Sequence, residues 1–171
     1  VVVPVYKTPE TFLREMVDSV LNQTYGNVEL CLADGSEEDH GPQKILEAYA
    51  AQDPRIRYEK LPKNLGIAGN TNAALDLATG EYVALLDHDD FLEEHALFEL
   101  VKWLQTHPEV DMIYTDEDKV SFDSATFFQP HFKPDFNPDL LRTNNYICHF
   151  LMVKRTLMEQ AGKYRESFDG A

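Results

Sequence analysis

The chain has 171 residues, of which 43% are hydrophobic, and a formal net charge of −15 at pH 7. This length and composition suit one domain with a sizeable core and argue against a disordered chain. No apolar stretch approaches the roughly 20 residues that a transmembrane helix needs. The acidic excess argues against nucleic acid or an anionic membrane surface as a direct partner.

Cysteine content and the first residues bear on the context of the chain. Cys31 and Cys148 are too few for a disulfide framework or a zinc site, which favours a reducing cytoplasmic compartment. The chain opens with VVVPVY, a strand-like run without an initiator methionine. We therefore expect a piece of a longer chain, truncated at both ends, whose anchor or partner domain could lie outside it.

Apolar residues alternate between strand-like runs and helical spacing over the first two thirds of the chain. The pattern predicts strands at 1–5, 28–33, 56–59, 82–86 and 110–115, and helices at 9–23, 42–52, 68–78 and 92–106. Strands that alternate with helices indicate an α/β fold with a mostly parallel, right-handed sheet and helices on both faces. Trp103 lies within the fourth helix, and we expect it to belong to the core and not to a sugar-stacking platform.

The pattern changes after residue 120. Residues 121–142 are rich in Phe, Pro and Asp and have no clean period, which indicates a long ordered loop or flap. Its aromatic residues could form an acceptor flap or simply pack the loop down: Phe127, Phe128, Phe132 and Phe136. Residues 146–153 predict a further buried strand and residues 155–161 a short helix.

The predicted strand at 82–86 ends in four polar residues, Asp87, His88, Asp89 and Asp90. Like charges this close raise one another's pKa unless a cation lies among them. Two carboxylates spaced Asp-x-Asp at a strand end suit a hard divalent ion such as Mg²⁺ or Mn²⁺. A solvated acidic loop that also caps the next helix explains the same residues, and spacing alone leaves both interpretations open.

Polar segments follow other predicted strands as well, at the sheet edge where open α/β sheets bind ligands. These segments are Tyr6-Lys7-Thr8, Asp34-Gly35-Ser36 and Asp116-Glu117-Asp118. The sequence contains neither a G-x-G-x-x-G after the first strand nor a P-loop motif, which argues against a dinucleotide dehydrogenase or a P-loop NTPase. A phosphorylated ligand would then need a metal ion to meet its charge.

Five segments in order carry a resemblance to a known family: PVY, DGS, NLGIAGNTNAAL, ATGEYVALLDHDD, and YTDEDKV followed by PHFKPDFNPDLL. Together they resemble a family 2 glycosyltransferase domain of the GT-A fold, a type common in bacterial cell-surface polysaccharide synthesis. The resemblance covers nearly the whole chain. It implies a nucleotide-sugar donor, a Mn²⁺ or Mg²⁺ ion, a saccharide or glycolipid acceptor and inversion at the anomeric carbon. A short antiparallel extension of the sheet is expected too.

The resemblance also divides the single domain, 1–171, into a donor-binding half at about 1–120 and the start of an acceptor half at about 121–171. It assigns donor binding to Pro4, Val5, Tyr6, Asp34, Ser36, Asn64, Gly66, Asn70, Asp87 and His88. Asp34 would accept a hydrogen bond from the uracil imide, which favours UDP. The location expected for such an enzyme is cytoplasmic, at the inner face of the membrane if regions outside this piece anchor it.

Within the acidic run, the resemblance implies Asp87 and Asp89 as metal ligands. Asp116 and Asp118 form a second Asp-x-Asp pair, which we expect to border the sugar or acceptor pocket. His131 or His149 could supply a third metal ligand. Single histidines in aromatic surroundings are more often structural, so both interpretations stay open.

Inverting transfer needs a general base, which the resemblance places just after Ala171. Asp169 is interpreted as a turn residue that precedes the base, so this piece is expected to bind donor and metal but to transfer sugar poorly. Two other functions compete. A sugar-phosphate nucleotidyltransferase should have a basic, Gly-rich loop near the first strand, which VVVPVYKTPE does not supply. A non-catalytic nucleotide-sugar-binding domain would fit the same motifs.

Overall fold

The computed structural model describes residues 1–37 and 41–169. Strands and helices alternate through the first part: β1 Val2–Val5, α1 Glu10–Leu21, β2 Leu30–Asp34, α2 Pro42–Gln52, β3 Ile56–Lys60, α3 Gly66–Leu77, β4 Tyr82–Leu85 and α4 Ala96–Thr106. The second part comprises β5 Met112–Tyr114, β6 Glu117–Val120, β7 Phe127–His131, α5 Pro138–Leu141, β8 Leu151–Lys154 and α6 Arg155–Ala161. A 3₁₀ turn at Glu166–Phe168 follows.

The main sheet has six strands in the order β3-β2-β1-β4-β8-β5. Strands β3, β2, β1 and β4 pair in parallel, whereas β8 pairs antiparallel with both β4 and β5. The predicted α/β fold and its short antiparallel extension are confirmed. The β4–β8 and β8–β5 pairs are aligned with each other, because Leu151 of β8 lies opposite both Leu85 of β4 and Tyr114 of β5.

Side chains of the central strands alternate between two apolar layers, one on each face of the sheet. On one face, Val3 and Leu32 pack with the buried side of α1, including Met16 and Val17. On the other face, the buried set includes Val2, Cys31, Ala33, Ala74 and Leu75, the last two from α3. Because the central strands are covered on both faces, their sequences are continuously apolar and not alternating.

The prediction that residues 121–142 form a long loop or flap is partly wrong, because this segment contains a strand and a short helix. Residues of β7 pair antiparallel with β6 in a separate two-stranded sheet. Every residue of β7 is exposed, so no apolar alternation marked it as a strand. A short helix, α5, follows, and Oδ1 of Asn137 accepts hydrogen bonds from the N–H groups of Asp139 and Leu140, each 3.0 Å long.

Other predicted boundaries also changed. The helix predicted from residue 92 begins at Ala96, and the strands predicted at 110–115 and 146–153 shorten to β5 and β8. Trp103 is not a core residue: it is 42% exposed. Its ring stacks on that of His107 with 3.9 Å between ring centroids. The outer face of α4 therefore carries a tryptophan that helical spacing alone placed inside.

Candidate functional site

Three metal-ligating side chains meet where β4 ends. One ligand atom each of Asp87, Asp90 and His149 lies within 4.8 Å of the other two. Nε2 of His149 is 3.7 Å from Oδ2 of Asp87 and 3.1 Å from Sγ of Cys148. Sheet topology explains the meeting, because β8 runs antiparallel to β4 and the residues before Leu151 therefore pass the end of β4. Two carboxylates and one imidazole are groups that can bind a divalent metal ion, and carboxylates are ligands that suit both Mg²⁺ and Mn²⁺.

The electrostatics of this cluster favour a cation. Burial raises the pKa of Asp90, and the neighbouring carboxylates of Asp87 and Asp89 raise it further, whereas His149 lowers it. Burial is the largest cause, and the repulsion by neighbouring carboxylates that the acidic run predicted contributes less to the raised pKa of Asp90. A divalent ion among these groups would favour the ionised carboxylates.

Asp89 and His88 lie beside this cluster but outside it. The Asp89 side chain is 58% exposed, and its Oδ1 is 3.8 Å from Nδ1 of His88, which is too long for a hydrogen bond. Among the residues that the structure describes, the buried Nδ1 of His88 has no hydrogen-bond partner. The role of Asp89 as a metal ligand stays a prediction. Asp90 was not proposed as a ligand from the sequence, although it belongs to the same acidic run.

The loop after β2 carries Asp34 and Ser36, both buried. Oδ1 of Asp34 accepts from the Ser36 N–H at 2.8 Å, and Oδ2 accepts from the Tyr58 hydroxyl at 3.2 Å and lies 3.4 Å from Nζ of Lys60. Oγ of Ser36 accepts from the N–H of Lys7 at 2.8 Å, which ties this loop to the one after β1. The Asp34 side chain is 0% exposed, so neighbouring groups would have to move before a uracil imide could reach it. That contact stays a prediction.

The loop before α3 brings Asn64, Gly66 and Asn70 together. Oδ1 of Asn64 accepts from the Gly66 N–H at 3.0 Å and from Nδ2 of Asn70 at 2.9 Å. Oδ1 of Asn70 accepts in turn from the Leu65 N–H at 3.0 Å. This network fixes the loop against the first turns of α3. Gly35 of the loop after β2 lies close to both Asn64 and Asn70, so two of the predicted donor-binding segments adjoin.

Asp169 lies at the same helix start. Its Oδ1 accepts from the N–H of Ala68 at 2.9 Å, so it caps α3 from a distant part of the chain. Its own N–H donates to the carbonyl of Glu166, as expected for a turn residue. A side chain on Gly66, whose φ is +77°, would place its Cβ 2.5 Å from Oδ2 of Asp169. The position expected for the general base lies beyond the described residues.

The three residues of the acidic segment after β5, Asp116-Glu117-Asp118, have different surroundings at the β6–β7 hairpin. Oδ1 of Asp116 accepts from the backbone N–H of Lys133 at 2.8 Å, whereas Asp118 is exposed. Glu117 contacts both His131 and Lys133 through its carboxylate, each at 3.1 Å. His131 is thus paired with Glu117 and does not join the Asp87 cluster.

Lys133 is the cation that sequence reasoning missed. Its side chain is only 1% exposed, and Nζ donates to Oε2 of Glu117, to the carbonyl of Ile147 at 2.8 Å and to the carbonyl of His149. Burial opposes ionisation of Glu117, but its bonds to His131 and Lys133 outweigh that effect and lower its pKa. In the sequence, the signal that could have identified Lys133 is that it is the single Lys or Arg of FFQPHFKPDFNPDLL.

Comparison with protein families decides the affiliation of the chain. The family model described as glycosyl transferase family 2 matches residues 1–162. The chain belongs to glycosyl transferase family 2. The O-antigen biosynthesis protein RfbC of Myxococcus xanthus is 38% identical over 170 residues, a match that covers 99% of this chain and 13% of that protein. This family 2 domain thus spans a small part of that much longer relative.

Solved structures confirm the GT-A fold of this family 2 glycosyltransferase. S. aureus TarS 1–349 in complex with UDP matches with a TM-score of 0.76 at 20% identity, over 99% of this chain and 51% of that one. The mannosyltransferase PcManGT from Pyrobaculum calidifontis, in complex with GDP-Man and Mn²⁺, matches with a TM-score of 0.68 at 21% identity, over 95% and 46%. Among the described residues, no helix has the length and apolar character needed to cross a membrane.

Proposed function

We propose that this glycosyltransferase domain transfers a sugar from a UDP-sugar to a saccharide or glycolipid acceptor, with inversion and with a divalent ion. The observation that carries the proposal is the cluster of Asp87, Asp90 and His149 at the end of β4. It lies on the sheet edge that open α/β folds use for ligands. TarS with UDP and PcManGT with GDP-Man and Mn²⁺ support a nucleotide-bearing donor and a metal.

Metal binding is proposed to rest on Asp87, the residue common to the predicted Asp87/Asp89 pair and to the observed cluster. A bound Mn²⁺ or Mg²⁺ ion would stabilise the negative charge of the departing nucleoside diphosphate. The chain's own part is to hold Asp87 and His149 together at the ends of β4 and β8. Two carboxylates provide the hard oxygen ligands that either ion accepts.

Donor binding is proposed to use the connected loops after β1, after β2 and before α3. The proposed donor-binding residues are those expected from the sequence: Pro4, Val5, Tyr6, Asp34, Ser36, Asn64, Gly66 and Asn70, with Asp87 and His88 at the end of β4. A hydrogen bond joins the loop after β1 to the loop after β2, and hydrogen bonds within residues 64–70 fix the loop before α3. Preorganised loops reduce the ordering that binding would otherwise require. Asp116 and Asp118 remain the proposed border of the sugar or acceptor pocket.

The general base is proposed to follow Asp169 in the chain. Asp169 itself accepts from the N–H of Ala68 and is assigned a structural role. The match to family 2 disfavours the nucleotidyltransferase alternative. The acceptor is proposed to belong to a cell-surface polysaccharide, as in O-antigen synthesis by RfbC. The cytoplasm is the proposed compartment, and both cysteines are free thiols.

Calorimetry with UDP-, GDP- and dTDP-sugars, with and without Mn²⁺, tests this function. We expect metal-dependent binding that is tightest for a UDP-sugar. Replacing Asp87 by Asn should weaken Mn²⁺ binding at least about 10- to 100-fold, because a direct ligand should matter no less than the outer-shell partners for which that range is typical. Asp139→Asn, at an exposed carboxylate on α5, is the matched control and should bind like the parent. Absence of metal-dependent binding to any nucleoside diphosphate would contradict the proposal.

A further inference from the structure

We propose that Lys133 is a positioning residue, which holds the backbone of residues 147–149 and thereby keeps the His149 imidazole beside the Asp87 carboxylate. The inference rests on the proposed function in one respect, that the Asp87 cluster binds a divalent ion. It assigns a task to a buried cation that donor binding and transfer leave unexplained. It also assigns a task to the Phe-, Pro- and Asp-rich segment that carries this lysine.

The first step is the burial of the Lys133 ammonium. A lysine that is only 1% exposed must have partners for its charge and its three hydrogens. Nζ finds three acceptors: the Glu117 carboxylate and the carbonyls of Ile147 and His149. The ammonium is thereby fully paired within the protein. Such a group is specific in geometry, because losing any partner leaves a buried polar atom unsatisfied.

Second, the acceptors of Lys133 Nζ lie mainly in the segment that carries His149. Two of the three belong to the segment that leads into β8, and one is the carbonyl of His149 itself. The same residue presents Nε2 at 3.7 Å from Oδ2 of Asp87. Holding the carbonyl of a residue restricts where its side chain can point. Lys133 thus fixes the backbone from which the imidazole reaches the cluster.

The third step concerns the anchor on the other side. Glu117 opens β6, and its carboxylate is held by His131 as well as by Lys133. The backbone of Lys133 is bound separately, through its N–H to Asp116. Lys133 is therefore fixed to the β6–β7 hairpin at both its main chain and its head group. The hairpin becomes the support from which residues 147–149 are held against the end of β4.

Hydrogen exchange measured without metal tests directly whether Lys133 holds the backbone of residues 147–149. In Lys133→Met we expect the amides of residues 147–150 and of Thr115, which pairs with Phe150, to exchange at least tenfold faster. Amides of β1 and β2 should keep their rates, which separates local loosening from unfolding. Lys119→Met, at an exposed lysine on β6 that bonds Gln129, is the matched control and should leave all these rates unchanged. Unchanged exchange at 147–150 in Lys133→Met would overturn the proposal.

Because Lys133→Met leaves Glu117 with one fewer partner, it could fail to fold. The double variant Lys133→Met/Glu117→Gln removes both charges and avoids a half-buried carboxylate that has lost its lysine partner. We expect it to fold and to show the same faster exchange at residues 147–150. Exchange like that of the parent in a folded double variant would equally overturn the proposal.

Mn²⁺ affinity, measured by calorimetry on the 171-residue chain, tests the link to His149. Lys133→Met should weaken Mn²⁺ binding about tenfold, as changes beyond the direct ligands do. In a His149→Ala background the same change should have no further effect, because Lys133 acts through His149. An equal loss in both backgrounds would show a merely structural role and overturn the proposal. If the parent chain binds no Mn²⁺, the metal site of the proposed function is contradicted. Hydrogen exchange alone then tests whether Lys133 holds residues 147–149.

Discussion

Gly35 lies at a close contact between the loop after β2 and the segment at the start of α3. Even the methyl group of an alanine would crowd this contact. A Cβ at this position would lie 2.8 Å from Nδ2 of Asn70 and 3.1 Å from Cα of Asn64. Asn70 is buried and bonded to Leu65 and Asn64, so it cannot move away without losing hydrogen bonds. The Asp-Gly-Ser motif therefore has a steric reason for its glycine.

Replacing Gly35 by Ala should lower the free energy of unfolding by about 1–3 kcal/mol through overpacking. UDP binding should weaken in the same variant, because the loops would separate. Urea unfolding and calorimetry measure the two effects. Gly26→Ala is the matched control, since nothing lies within 4 Å of a Cβ built there. Equal stability of the two variants would contradict the close contact.

Glu29 gives the protein a pH dependence away from the site. Although burial opposes its ionisation, bonds from the N–H groups of Thr79 and Gly80, the Thr79 hydroxyl and Arg57 lower its pKa below the ordinary value of 4.5. The folded state therefore binds this proton less readily than the unfolded state does. Its stabilisation is present above about pH 4.5 and is lost as the pH falls through the folded pKa.

Glu29→Gln should lower the free energy of unfolding by about 1–2 kcal/mol at pH 7, since it removes charge-assisted hydrogen bonds. The difference from the parent should shrink as the pH falls from 5 towards 3. Urea unfolding at a series of pH values measures it. Glu59→Gln, at an exposed carboxylate on β3, serves as control. A difference that stays constant with pH would be the contrary result.

Among the secondary-structure elements, α3 shows what local sequence can and cannot reveal. Apolar spacing predicted the helix from residue 68 to 78, and its existence is confirmed at Gly66–Leu77. Its cap is Asp169, which lies 101 residues away from Ala68 in the chain. Sequence rules for caps look for a residue just before the helix, so this one was not predictable. The partner is supplied by tertiary structure.

Asp169→Ala should cost about 1 kcal/mol of stability, as removal of a helix N-cap does. The backbone N–H of Ala68 then has to find water. Hydrogen exchange of Ala68 should accelerate more than exchange in the middle of α3. Ser167→Ala, in the neighbouring 3₁₀ turn, is the control for effects on that turn alone. Protection of Ala68 equal to that of the parent would argue against the cap.

The strands divide in the same way between predictable and unpredictable. Strands β1, β2 and β4 consist mainly of apolar residues that are buried, and short apolar runs are a sequence signal for buried strands. Strand β7 is exposed throughout and exists through its pairing with β6. The same distinction applies to the site. Asp87 follows an apolar run and was found, and His149 was named with His131 as a possible third ligand. Only the pairing of β8 with β4 distinguishes His149 from His131, and the place of Lys133 depends on the hairpin that positions it.

For the molecule as a whole, the main sheet combines strands from both sides of residue 120, the predicted boundary of the donor-binding half. Strand β8 comes from the second half and lies between β4 and β5 of the first. Its residues Met152 and Val153 are buried. Residues 1–120 alone would therefore expose the edges of β4 and β5 and an apolar surface between them.

A chain ending at residue 120 should lose cooperative unfolding, because β5 pairs with β8 and would have no strand beside it. Circular dichroism through a urea titration should show a broad, non-cooperative transition. A chain ending at residue 162, which keeps β8 and α6, is the control and should unfold cooperatively. A sharp transition for residues 1–120 would show that the donor half folds by itself.

The position of β8 also sets an order of events during synthesis. Ribosomes deliver the chain from the N-terminus, so β4 and β5 both emerge before the strand that lies between them. The parallel part of the sheet can form early, but the gap beside β4 closes only after residues 151–154 have been translated. His149 arrives with that closure. The acidic run at the end of β4 therefore gains its imidazole partner in the same late step that completes the sheet, so an incompletely translated chain would lack both.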